Sequence, residues 1–167
     1  EMARRILEIE DMTTDSCTFS VGCVVSAQRH VNCVPSLCTA EALTMAKRQE
    51  DLDSGVAKML ALNAPEGDVA FHVSRGVTRP VWEPSATDKA LFEHAKSLAA
   101  DLGFEIRGQM AGGGSDGNFT APITTTLDGL GVDGKGGHTD YEQLYVSSLV
   151  PREALLYRLI ESSGETH

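Results

Sequence analysis

The chain has 167 residues, 41% hydrophobic and 23% charged, enough for one compact domain or two small pieces with a real core, and unlike collagen, low-complexity or disulfide-scaffold sequences. Fourteen basic against 24 acidic residues leave a formal charge of −10, and only 5% of residues are aromatic; such a field repels phosphate backbones and offers few stacking platforms, so no nucleic-acid partner is expected. Apolar runs fall far short of the ~20 residues of a membrane span, and no signal peptide is read at the start, so no membrane partner is expected either.

In chain order, residues 1–10 place Met2, Ile6 and Ile9 on one helical face. No N-cap signal precedes this helix, which suggests a cut through a larger protein. Cys17, Phe19, Val21, Cys23 and Val25 alternate with Thr18, Ser20 and Gly22, the period of a half-buried strand. A turn at 26–29 leads to a second strand-like run from Val31 to Met45, where Pro35 demands a bulge or an edge. Residues 50–62 return to helical period through Leu52, Val56, Met59 and Leu60; Gly55 costs that helix about 1 kcal/mol relative to alanine, so packing must hold it. Val69, Phe71 and Val73 alternate as a third strand. Helix, two strands, helix, strand is most of a ferredoxin-like split βαβ sandwich lacking its first strand.

Two prolines around Trp82, in Arg79-Pro80-Val81-Trp82-Glu83-Pro84, mark a stiff crossing between domains. Beyond it, Ser85 and Asp88 form a capping box, Leu91, Ala95, Leu98, Ala99 and Leu102 line one helix face, and Gly103 stops it. Phe104 to Ile106 and Ile123 to Leu127 read as strands, and a last helix after Ser148 turns Leu155, Leu156, Leu159 and Ile160 inward.

The four cysteines (Cys17, Cys23, Cys33 and Cys38) form no C-x-x-C pair. Two disulfides are arithmetically possible, but small buried thiols in strand-like segments suit a reducing, cytoplasmic compartment better.

Two segments carry candidate chemistry. Gly112-Gly113-Gly114-Ser115, followed by Asp116 and Asn118, offers backbone N–H groups that side chains do not shield; a helix starting at Ser115 would favour an anion such as a carboxylate, while a surface loop is the plainer alternative. It is neither a Walker loop nor a dinucleotide fingerprint, and it matches the G-x-S-x-G spacing of a nucleophile elbow only formally, because that elbow needs a parallel sheet built before it. His138, in Lys-Gly-Gly-His-Thr-Asp, follows glycines that let the chain turn sharply, with Asp140 and Glu142 placed to orient the imidazole. A solvent-facing loop histidine is the plainer alternative here too. His30, His72, His94 and His167 carry no ligand spacing, and His94 reads as a helix surface position.

Taken together, Val31-Asn32-Cys33-Val34-Pro35, Arg79-Pro80, Gly112-Gly113-Gly114-Ser115-Asp116 and Gly136-Gly137-His138-Thr139, with Ser148-Leu149-Val150-Pro151-Arg152 before the last helix, resemble the two-zinc amidohydrolase family of glutamate carboxypeptidase, acetylornithine deacetylase and succinyl-diaminopimelate desuccinylase. The resemblance implies a mixed α+β and α/β fold. Residues 1–78 would be a ferredoxin-like lid that forms a homodimer, and 79–167 the C-terminal part of an α/β zinc-peptidase catalytic domain. It implies that His138 is a zinc ligand, and that Asn32, Arg79, Gly113, Gly114 and Ser115 bind the substrate carboxylate and the developing oxyanion. Met45 stands where the family commonly has an arginine, which leaves room for an N-acyl or carbamoyl amino acid other than a glutamate derivative, or for a peptide. The remaining ligands of the two zincs and the general base precede this sequence in family order, so the piece is expected to hold no catalytic residue and to be inert alone. A non-catalytic dimerisation module and a small-anion binding protein are the competing readings.

Overall fold

The computed structural model describes residues 1–28, 30–65, 68–110 and 112–163. Arg29, at the end of the expected turn, and His167 lie outside them. The chain forms two compact units, Glu1–Val81 and Trp82–His167.

The first unit begins with α1 (Met2–Glu10), where Arg4 and Arg5 both pair with Glu1. Strands β1 (Cys17–Ser26) and β2 (Cys38–Ala46) pair antiparallel from Cys17 opposite Ala46 to Ser26 opposite Cys38. The register shifts between Gly22 and Val25, where Cys23 takes φ 49°, so the bulge falls on β1. Pro35 therefore does not interrupt a strand: β2 starts only at Cys38, and 30–37 is a loop with Val31 and Val34 exposed. α2 (Gln49–Ala61) lies on this pair so closely that a methyl at Gly55 would sit 2.8 Å from Cys17 Sγ and 2.9 Å from Thr44 Cγ2. The glycine that weakens the helix locally is what lets it dock. Ile9, Cys17 and Phe19 are the buried core, with Met12, Val21, Met59, Leu62 and Phe71 against them, and the Arg5 guanidinium stacks 4.9 Å from the Phe71 ring centroid.

The third strand expected at 69–73 is reduced to one bridge between Ala64 and Phe71, while the Asn63 carboxamide accepts from Val73 N–H and donates to its carbonyl. The sheet of this unit has two strands, and among the described residues no ferredoxin-like sandwich closes. The thiol expectation also changes. All four cysteines are free, yet only Cys17 is buried, and burial raises its pKa; Cys23 and Cys33 are exposed.

In the second unit Ser85 caps α3 (Ala86–Asp101) through the full capping box with Asp88, and Gly103 at φ 85° ends it. α4 (Gly117–Thr120) is a single turn. β3 (Gly134–Lys135) and β4 (Gln143–Leu144) form a short hairpin, and a 3-10 turn at Val146–Ser148 leads into α5 (Leu149–Ser163). Ala95 and Ala99 of α3 let α5 approach and bury Leu155 and Leu159. Leu156 and Ile160, expected inward, are exposed: the buried stripe of α5 is narrower than its apolar one. No strand is assigned at 104–106 or 123–127, and Ile123 is 86% exposed. Among the described residues no helix is long and apolar enough to cross a membrane.

Candidate functional site

The expected site residues fall in both units. In the first, Asn32 is exposed in the 30–37 loop, where its Oδ1 accepts a weak bond from Cys33 Sγ at 3.7 Å and Cys33 N–H donates to His30 O. Arg79 is exposed beside Pro80, and the following Val81 N–H is fixed by Gln49 Oε1 at 2.9 Å.

In the second unit the glycine loop is built around side-chain locks. Ser115 N–H donates to Asn118 Oδ1 at 2.8 Å, and Gly117 N–H donates to Ser115 Oγ at 2.9 Å. Gly113 and Gly114 are exposed, and a methyl at Gly113 would meet nothing within 4 Å. The helix expected from Ser115 instead begins at Gly117 and lasts four residues. A single turn supplies little macrodipole, so any anion preference rests on the loop amides themselves. As for the nucleophile elbow, Ser115 Oγ receives a backbone amide and makes no hydrogen bond to a histidine among the described residues.

A buried carboxylate elsewhere in this unit was missed by sequence reasoning beyond its capping role. Asp88 is 5% exposed, and it accepts from Thr126 N–H through Oδ1 and from Ser85 N–H through Oδ2, each at 2.8 Å. Those two amides, the Thr126 one foremost, pull its pKa from the ordinary 3.8 down to about 2, with the Ser85 hydroxyl and the Trp82 indole adding to the pull. Thr126 Oγ1 then donates to Thr120 Oγ1 at 3.1 Å, and the Trp82 ring packs so closely over Gly117 that a methyl there would lie 2.6 Å from Cζ3. The available signals were the lone Trp beside the capping box and the Ser115-x-x-Asn118 spacing.

His138 sits in the β3–β4 connection at φ 64°, a left-handed conformation uncommon for a residue with a Cβ. Gly136 precedes it at φ 70°, with the Tyr141 ring where a methyl would go, and Thr139 bonds Gly136 O through both its N–H and its hydroxyl. Gly134 is equally obligatory, since a methyl would collide with Gln143 O. The hairpin is tied to α5 by Asp133, whose N–H donates to Ser148 Oγ and whose carboxylate meets Arg152 at 2.5 Å. The exposed imidazole is not held by its acidic neighbours as expected: Glu142 Oε2 accepts the His138 backbone N–H at 3.2 Å, and Asp140 is exposed. Among the described residues no three His, Cys, Asp or Glu side chains gather to hold a metal ion, so these residues do not by themselves fit a two-zinc centre.

The family model of Peptidase family M20/M25/M40 matches residues 6–162, and the chain belongs to that family. This is a family of amide-bond hydrolases, generally metal-dependent. No curated protein matches the chain.

Proposed function

We propose that this chain supplies the substrate-binding part of a zinc-dependent hydrolase that cleaves an amide bond of an N-acyl amino acid or a peptide, in the manner of glutamate carboxypeptidase, acetylornithine deacetylase and succinyl-diaminopimelate desuccinylase. The observation that carries this reading is the family match over residues 6–162. Asn32 and Arg79 in the first unit, and Gly113, Gly114 and Ser115 in the second, are assigned to the substrate, because an amide, a guanidinium and bare N–H groups suit a carboxylate and an oxyanion. His138 is assigned as one zinc ligand. The turn supports that role: a non-glycine residue kept in the left-handed region by its surroundings is the kind of strain that functional positions retain. One imidazole cannot activate water, so the chain alone is inert and needs further polypeptide to complete the centre. Unpaired thiols support a cytoplasmic setting.

The test has two arms. Titration with N-acetylalanine, an N-acyl amino acid without the glutamate side chain, followed by amide NMR, is expected to shift Gly113 and Gly114, and Arg79→Ala is expected to weaken binding about tenfold. Zinc-supplemented assays on the chain alone are expected to show no hydrolysis. Unmoved glycine signals would remove the substrate role, and measurable hydrolysis would overturn the inertness. A second reading, a non-catalytic module that dimerises through residues 1–78, is favoured by one feature: β2 pairs only with β1 among the described residues, leaving its outer edge open, while the outer edge of β1 is met by Thr13, Thr14 and Glu10.

A further inference from the structure

Trp82 is the only tryptophan of the chain, and the proposed site gives it no role. It opens the second unit, half-buried, with its Nε1 shut off from solvent. Its six-membered ring lies on Gly117, where a methyl would sit 2.6 Å from Cζ3 and 3.2 Å from Cε3. Only glycine lets the ring come this near the backbone. Gly117 is in turn the residue at which the locks of the glycine loop meet. Its N–H donates to Ser115 Oγ at 2.9 Å, while Ser115 N–H donates to Asn118 Oδ1 at 2.8 Å. Its carbonyl accepts the Ala121 N–H at 2.9 Å and the Thr120 hydroxyl at 3.3 Å.

Asp88 backs this contact along two lines. The buried indole N–H of Trp82 bears on the Asp88 carboxylate, outside normal hydrogen-bond geometry, an attraction that holds the ring by its polar end. The second line runs from Asp88 Oδ1 to the Thr126 N–H at 2.8 Å, and from Thr126 Oγ1 to Thr120 Oγ1 at 3.1 Å, the hydroxyl that meets Gly117 O. Gly113 and Gly114 carry no such lock. Both are exposed, and neither N–H donates to another described residue. Exposed glycines hold no conformation of their own, so their direction is inherited from the anchored end of the loop.

We propose that Trp82 is a positioning residue for the glycine loop: seated on Gly117 and held by Asp88, it fixes the Ser115–Asn118 turn and thereby the direction of the Gly113 and Gly114 amides. Backbone donors bind an anion well only when they are aimed before it arrives. The assignment rests on the reading that these amides bind the substrate carboxylate or oxyanion.

Amide NMR on the whole chain, unliganded and titrated with N-acetylalanine, tests it. Trp82→Ala removes the contact from one side and Gly117→Ala crowds it from the other; Trp82→Phe keeps a ring without the indole N–H. Leu155→Val is the control, because it loosens the α3–α5 core instead. Without ligand, Trp82→Ala and Gly117→Ala are expected to speed exchange of the Ser115 and Gly117 amides about tenfold or more and to move the Gly113 and Gly114 signals. Trp82→Phe is expected to fall between them and the parent, and Leu155→Val to match the parent. With ligand, the first two variants are expected to bind about tenfold more weakly. Were Trp82→Ala to unfold, Trp82→Phe and Gly117→Ala decide the matter. Unmoved loop signals in those two, an equal change in Leu155→Val, or moved signals with parental binding would each overturn the positioning role. Should N-acetylalanine leave the parent's glycine amides where they are, the substrate reading fails by itself, and the unliganded exchange rates still decide whether Trp82 sets the loop.

Discussion

Asp88 does two jobs with one carboxylate: it completes the cap of α3 and holds the Thr126 amide. Its folded-state pKa of about 2 lies below the ordinary 3.8, so its contribution is present above pH 4 and lost as pH falls through 2. The amide of Asp88→Asn keeps an acceptor but offers an N–H₂ where the second amide now donates. Urea unfolding of that variant is expected to show lower stability at pH 7 and a flatter dependence between pH 4 and 2; an unchanged slope would remove the carboxylate from this role. His138 makes a contrasting prediction. Its left-handed backbone is costly for any residue with a Cβ, so His138→Gly is expected to lose no stability and to gain up to about 1 kcal/mol by thermal melting. A clear loss would mean that the imidazole holds the turn together rather than standing ready for a ligand.

At the scale of elements, the helices were legible because their signals are local. Ser85 with Asp88, Gly103, and the stripe through Ala95 and Ala99 each act within a few residues, and the structure reproduces them. Strands depend on partners elsewhere in the chain. Cys17–Ser26 found one in Cys38–Ala46, the alternation at 69–73 found a single bridge from Phe71 to Ala64, and the strand candidates at 104–106 and 123–127 found none among the described residues. The same contrast runs through the candidate site. Glycines announced the turn at His138, but which donor Glu142 would serve depended on backbone geometry that spacing does not encode. α5 shows the limit of periodicity: four apolar residues share a broad face, but only Leu155 and Leu159 meet α3. Leu155→Ala, at 0% exposure, is therefore expected to destabilise by about 2–5 kcal/mol in chemical denaturation, and Leu156→Ala by much less.

The molecule as a whole is two units, each with its own buried cluster, and the seam at Val81–Trp82 falls inside the Arg79–Pro84 stretch. The excess of acid over base repels other polyanions, so a carboxylate ligand needs a local arrangement that overrides the global field. On the proposed reading the bare amides of the glycine loop, which act only at short range, would answer that need. The bond from Thr126 to Asp88 spans 38 residues and has a consequence for the order of assembly. On the ribosome the first turn of α3 can close as soon as Asp88 emerges, yet the chain carrying the glycine loop has no fixed far end until Thr126 has been made. The tie between the start of α3 and the segment after α4 is thus one of the later events of translation in this unit, and a stalled product ending before that threonine would have its helix start but not this tie.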